Sequence, residues 1–65
     1  MKDLTPRQTQ ILRLLALGMT NRRIARELRL SENTVRTHVE RIRRVMGAST
    51  RGEAVARARE LGILR

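Results

Sequence analysis

The sequence predicts an all-α domain of four helices, the middle two joined as a helix-turn-helix, and three observations carry that expectation. Apolar residues recur at helical spacing in four separate stretches. A hydroxyl or amide residue able to cap stands before each stretch, and a glycine, Gly18, Gly47 or Gly62, stands just beyond three of them. The apolar set contains no Phe, Tyr or Trp, so the core has to be assembled from Leu, Ile, Val, Ala and Met, which suits packed helices. Sixty-five residues make one domain, expected to span 1–65, with little room for a deep pocket. Function must therefore sit largely on the surface.

The first helix opens at Thr5-Pro6-Arg7-Gln8, where Thr5 can cap, Pro6 loses nothing at the first helical position, and Gln8 can complete a capping box. It runs to about Leu17, with Ile11, Leu12 and Leu15 on one face and Gly18 as the left-handed stop. Thr20 or Asn21 caps a short second helix, ending near Arg29, in which Ile24, Ala25 and Leu28 face inward and Arg22, Arg23, Arg26 and Arg29 face water. Ser31 caps the third, whose Val35, Val39, Ile42 and Met46 alternate steps of four and three up to Gly47. Only Arg29-Leu30-Ser31 separates these two helices, the tight connection of a helix-turn-helix, although this turn lacks the glycine many such turns carry. Thr50-Arg51-Gly52-Glu53 reads as a second capping box, opening a fourth helix with Ala54, Val55, Ala58 and Leu61 inward and its end at Gly62.

Fifteen basic residues against six acidic give a net charge of +9, which points first to a polyanionic partner. The absence of Cys removes disulfide frameworks and thiolate metal sites. The longest apolar run, Leu14 to Leu17, is too short for a membrane span or a signal-peptide core, so no membrane partner is expected and a cytoplasmic location is. His38 lacks a neighbouring cluster of metal-binding residues, and Ser31 and Ser49 are explained by a cap and a loop. No catalytic site, metal or cofactor is expected.

At about 100° per residue, the third helix sets Asn33, Arg36, Thr37, Glu40 and Arg44 opposite its apolar side. Arg36 can donate a bidentate pair to guanine, Thr37 offers a hydroxyl and a methyl, and Glu40 can accept from cytosine, as major-groove reading of duplex DNA requires. Asn33, Thr34 and the N–H groups opening the second and third helices can hold phosphates, with Arg22, Arg41, Arg44 and Arg51 adding reach. A charged stripe is also what any solvated amphipathic helix shows, and Glu40 can equally be an i,i+4 partner for Arg36 or Arg44. The low helix propensity of Asn33 and Thr37 argues against a purely solubilising face. Two rivals stay open: a sigma-factor-like or RNA-binding helical module, which the lack of aromatics for base stacking disfavours, and an Arg-rich domain for an acidic protein partner.

From Leu4 to Leu64 the chain resembles the LuxR-type (GerE-like) helix-turn-helix family of bacterial transcriptional regulators. The resemblance lies in Leu4-Thr5-Pro6-Arg7, Gly18-Met19-Thr20-Asn21, Ile24-Ala25, Leu30-Ser31, Thr34-Val35-Arg36-Thr37-His38-Val39, Ile42, Gly47 and Ala54-Val55, taken in order and spacing. It implies a third helix that enters the major groove, base contacts at Arg36, Thr37 and Glu40, and backbone contacts at Thr20, Asn21, Thr34, Arg44 and Arg51. It also implies homodimers formed through the last helix. Departures from the family pattern are Gln8 and Arg23 where acids are usual, Val45 where Lys is frequent, and Glu40 where relatives often carry a base.

On the fourth helix Gly52, Ala56, Arg59 and Ile63 fall on the side away from the inward set, small residues plus one exposed aliphatic that would suit close, isologous pairing of two copies. Nothing in the sequence senses a ligand or accepts a phosphoryl group. Control is therefore expected from a regulatory domain or chain outside this one.

Overall fold

A computed structural model of the chain describes residues 4–64, so the first three residues and the last of the expected domain lie outside the description. Within the described residues the order is α1 (Pro6–Ala16), α2 (Asn21–Leu28), α3 (Glu32–Met46) and α4 (Arg51–Glu60). α3 packs against each of the other three helices, α1 also meets α4, and the main contacts of α2 are with α3. One core results, built from Ile11, Leu12 and Leu15 of α1, Ile24 and Ala25 of α2, Val35, Val39, Ile42 and Met46 of α3, Ala54 and Ala58 of α4, and Leu64.

Local chemistry explains the helix boundaries. The expected box at the start of α1 forms completely: the Gln8 N–H donates to Thr5 Oγ1 at 3.1 Å, and the Thr5 N–H to Gln8 Oε1 at 3.0 Å. That second bond satisfies the amide oxygen of Gln8, which is buried, and so offsets the cost of taking it out of water. At α2 it is Thr20 that caps, accepting the Arg23 N–H at 3.2 Å, and Asn21 is the first helical residue. Ser31 caps α3 in the same way through the Thr34 N–H at 3.0 Å.

The turn between α2 and α3 shows how a connection without glycine is made. Arg29 itself takes the left-handed conformation, at φ 55°, the single non-glycine residue to do so among those described. The bend lets the Leu30 N–H reach back to the Ala25 carbonyl at 2.9 Å, closing the end of α2 while Leu30 packs against the core.

Three expectations about α4 need correction. Only half of its capping box forms, the Glu53 N–H donating to Thr50 Oγ1 at 3.1 Å. The helix ends at Glu60, not Gly62, and Leu61, expected inward, is 59% exposed. Ile63, expected as an exposed aliphatic on the outer face of the helix, instead lies beyond its end and is half-buried. The cause is Gly62, which at φ 76° turns the chain back so that the N–H groups of Ile63 and Leu64 both reach the Ala58 carbonyl, at 2.9 and 3.2 Å. Leu64 then fills the core position that helical periodicity had given to Leu61.

Candidate nucleic-acid interface

Burial of Val35, Val39, Ile42 and Met46 fixes the rotation of α3 about its own axis, which decides what its other side presents. Asn33, Thr34, Arg36, Thr37, Glu40, Arg41 and Arg44 are all exposed. At about 1.5 Å per residue the helix is roughly 22 Å long, enough to lie across several base pairs of a major groove about 12 Å wide.

Four side chains on this surface, Asn33, Thr34, Arg36 and Thr37, are already engaged. Arg36 Nη1 donates to Asn33 Oδ1 at 3.1 Å, one turn back, which uses one guanidinium N–H and leaves the other donors of the fork free. It is this bond, to Asn33, that the structure gives Arg36, in place of the alternative pairing with Glu40. Thr37 donates its hydroxyl proton to the Asn33 carbonyl at 3.1 Å, so what it can offer a ligand is an acceptor lone pair and a methyl group. Asn33 thereby accepts through both its oxygens and keeps its side-chain amide N–H groups for an anion. Thr34 is drawn the other way, its hydroxyl 2.7 Å from Ser31 Oγ.

The starts of α2 and α3 differ as anion sites. The first turn of α2 contains no acid and carries Arg22 and Arg23, whereas that of α3 contains Glu32. The N–H groups of Asn21 and Arg22 have no carbonyl one turn back within the helix, and the positive end of the helix dipole adds to the two arginines. Asn21 is half-buried, and its Oδ1 lies buried with no hydrogen-bond partner in the protein. His38, half-buried on the border of the core-facing side of α3, has its Nδ1 in the same condition, which fits a packing role better than a solvated one.

Arg51, at the first position of α4, is tied to the loop before α2: its Nη2 donates to the Met19 carbonyl at 2.6 Å, across 32 residues of sequence. Sequence reasoning had no access to this bond, because the acceptor is a backbone group and any residue could supply it. On α4, Gly52, Ala56 and Arg59 are exposed, and Arg59, with Ile63 from beyond the helix end, joins Arg13, Ala16, Leu17 and Leu64 around an open groove. Among the described residues there is no group of three or more His, Cys, Asp or Glu able to hold a metal, and no helix long and apolar enough to cross a membrane.

The fold and its exposed, basic third helix define a helix-turn-helix domain of four helices. The chain belongs to the luxR family of bacterial regulatory proteins, whose GerE domain matches residues 2–58. It is 44% identical over 52 residues to the nitrate/nitrite response regulator protein NarL of Escherichia coli K12, covering 80% of this chain and 24% of that protein. To the uncharacterized transcriptional regulatory protein YvfU of Bacillus subtilis 168 it is 46% identical over 59 residues, covering 91% of this chain and 30% of that one. The crystal structure of the response regulator ChrA of a heme-sensing two-component system superposes with a TM-score of 0.94 at 34% identity, over 98% of this chain and 32% of ChrA. The chain thus spans about a quarter to a third of the length of these relatives.

Proposed function

We propose that this chain is the DNA-binding output domain of a bacterial transcriptional regulator and that α3 lies in the major groove of duplex DNA. The observation that carries this reading is the two-sidedness of α3: four apolar residues are buried while Asn33, Arg36, Thr37, Glu40 and Arg44 stand clear of neighbouring segments. Arg36, Thr37 and Glu40 read base edges, the guanidinium fork of Arg36 pairing with guanine, the methyl of Thr37 meeting thymine, and Glu40 accepting from cytosine. Thr20, Asn21, Arg22, Asn33, Thr34, Arg41 and Arg44 hold phosphates and set register.

Two copies pair through the outer face of α4, along Gly52, Ala56 and Arg59 with Ile63 beside them, so that two recognition helices meet a two-fold symmetric site. Control reaches the domain through a regulatory domain or another chain, a reading supported by the greater length of the relatives. A role on bacterial DNA supports a cytoplasmic location.

Selection of binding sites from random duplexes tests the proposal. A defined site should emerge, and Arg36→Ala should lose ~1–3 kcal/mol on it with relaxed preference at one base pair, while Arg44→Ala weakens all duplexes alike. Equal losses for both substitutions on selected and random duplexes would overturn the division between reading and holding. Sedimentation of the chain with its selected duplex, showing one copy per site at every concentration, would remove the dimer.

A further inference from the structure

The bond from Arg51 to Met19 is the one side-chain hydrogen bond among the described residues that joins distant parts of the chain, and it ends one peptide before the cap of α2. We propose that Arg51 is a positioning residue for DNA binding: by holding the Met19–Thr20 peptide it fixes where the phosphate-binding start of α2 sits relative to α3. The inference rests on the proposed reading of Thr20, Asn21 and Arg22 as phosphate ligands.

Three features of the structure support it. First, α2 is short and its main packing is on α3, so the start of α2 depends on the loop that leads into it for its placement. Second, both backbone groups of Met19 are engaged. Its N–H donates to the Leu14 carbonyl of α1 at 3.2 Å, and its carbonyl accepts from Arg51 of α4 at 2.6 Å. The two peptides flanking Met19 are thereby held from two helices, the Met19–Thr20 peptide that delivers the cap by Arg51 itself, and Thr20, at φ −73° and ψ 160°, sets the direction of the Asn21 and Arg22 N–H groups. Third, a cation in the first turn of a helix opposes the helix dipole, so Arg51 gains nothing from α4 itself. It is also exposed, so burial does not hold its side chain in place, and the carbonyl of Met19 is the partner the structure gives it.

A direct phosphate ligand and a positioning residue behave differently under salt. Each phosphate neutralised contributes about 0.9 to the slope of log affinity against log salt, and a residue that only aims other ligands contributes nothing to that slope. The test compares the unmodified chain with Arg51→Ala, Thr20→Ala, Arg22→Ala and the Arg51→Ala/Thr20→Ala double variant on the selected duplex and on an unrelated one, across a salt series. Amide resonances of the free proteins are recorded alongside.

For Arg51→Ala we expect displaced amide signals of Thr20, Asn21 and Arg22 without DNA, affinity lowered several-fold on both duplexes, and an unchanged salt slope. The double variant should bind no worse than Thr20→Ala alone, because the two act through one element. A slope reduced by about 0.9 with the α2 amides unmoved would make Arg51 a direct phosphate ligand and overturn the inference. Full affinity in Arg51→Ala, with Thr20→Ala weakened, would overturn the inference alone. Full affinity in both Thr20→Ala and Arg22→Ala would remove the phosphate reading of α2 and the inference with it.

Discussion

α3 and α4 are each capped by a hydroxyl and each carry two arginines in the last turn, yet they are held in the molecule by different means. α3 buries Val35, Val39, Ile42 and Met46, whereas the buried residues of α4 are two alanines, Ala54 and Ala58. The first helix is fixed by side-chain volume and the second by close approach. The difference suits their proposed tasks. A helix that reads base edges has to keep a single rotation, and four interdigitated side chains supply it. A helix that pairs with a copy of itself needs a slim outer face, and Gly52 and Ala56 supply that.

The largest effect should come from removing volume under α3. Ile42 is fully buried, and Ile42→Ala should cost about 2–5 kcal/mol through lost transfer energy and the cavity left behind. A domain of this size holds only ~3–10 kcal/mol in total, so urea unfolding should show the variant close to or past its midpoint at low denaturant. A loss under about 1 kcal/mol would mean that the neighbouring helices collapse onto the gap, and the rotation of α3 would then need another explanation.

The complementary change adds volume under α4. Ala58 is fully buried, so Ala58→Leu should cost about 1–3 kcal/mol by forcing the helix away from its neighbours. The same unfolding measurement reads it. A neutral or stabilising result would show slack beneath α4 and would break the contrast with α3.

The same contrast explains what could be read from the sequence. Where burial is carried by large residues at regular spacing, the wheel places them correctly, and the core face of α3 and its exposed side follow from Val35, Val39, Ile42 and Met46. Caps are also readable, because Thr5 with Gln8 and Ser31 act within three residues, while at α2 the sequence offered Thr20 or Asn21 and the structure chooses Thr20. The end of α4 was not readable that way. Ala54 and Ala58 give a weak apolar pattern, and extending the helix up to Gly62 put Leu61 inside and left Leu64 unassigned. A glycine followed by two aliphatics was the available signal, since a helix closed by a left-handed glycine often returns an apolar residue to its own last turn. The engagement of Arg51 with Met19 had no signal at all.

The connections into the two helices sharpen the comparison at its smallest scale. α4 is reached through Gly47, at φ 65°, and α3 through Arg29, at φ 55°, so the chain makes nearly the same left-handed bend with and without a side chain. A Cβ at Gly47 would meet nothing within 4 Å, so any penalty for filling that position is conformational and not steric crowding by neighbours. Gly47→Ala should therefore lose about 1 kcal/mol, the cost of holding an L-residue in the left-handed region. Arg29→Gly removes the same cost but gives the unfolded chain about 0.5–1 kcal/mol of extra freedom, leaving a net gain under about 1 kcal/mol. Urea midpoints at constant slope measure both. A destabilised Arg29→Gly would show that the arginine side chain itself holds the turn, and the entry to α3 would then depend on a contact that the left-handed backbone alone does not explain.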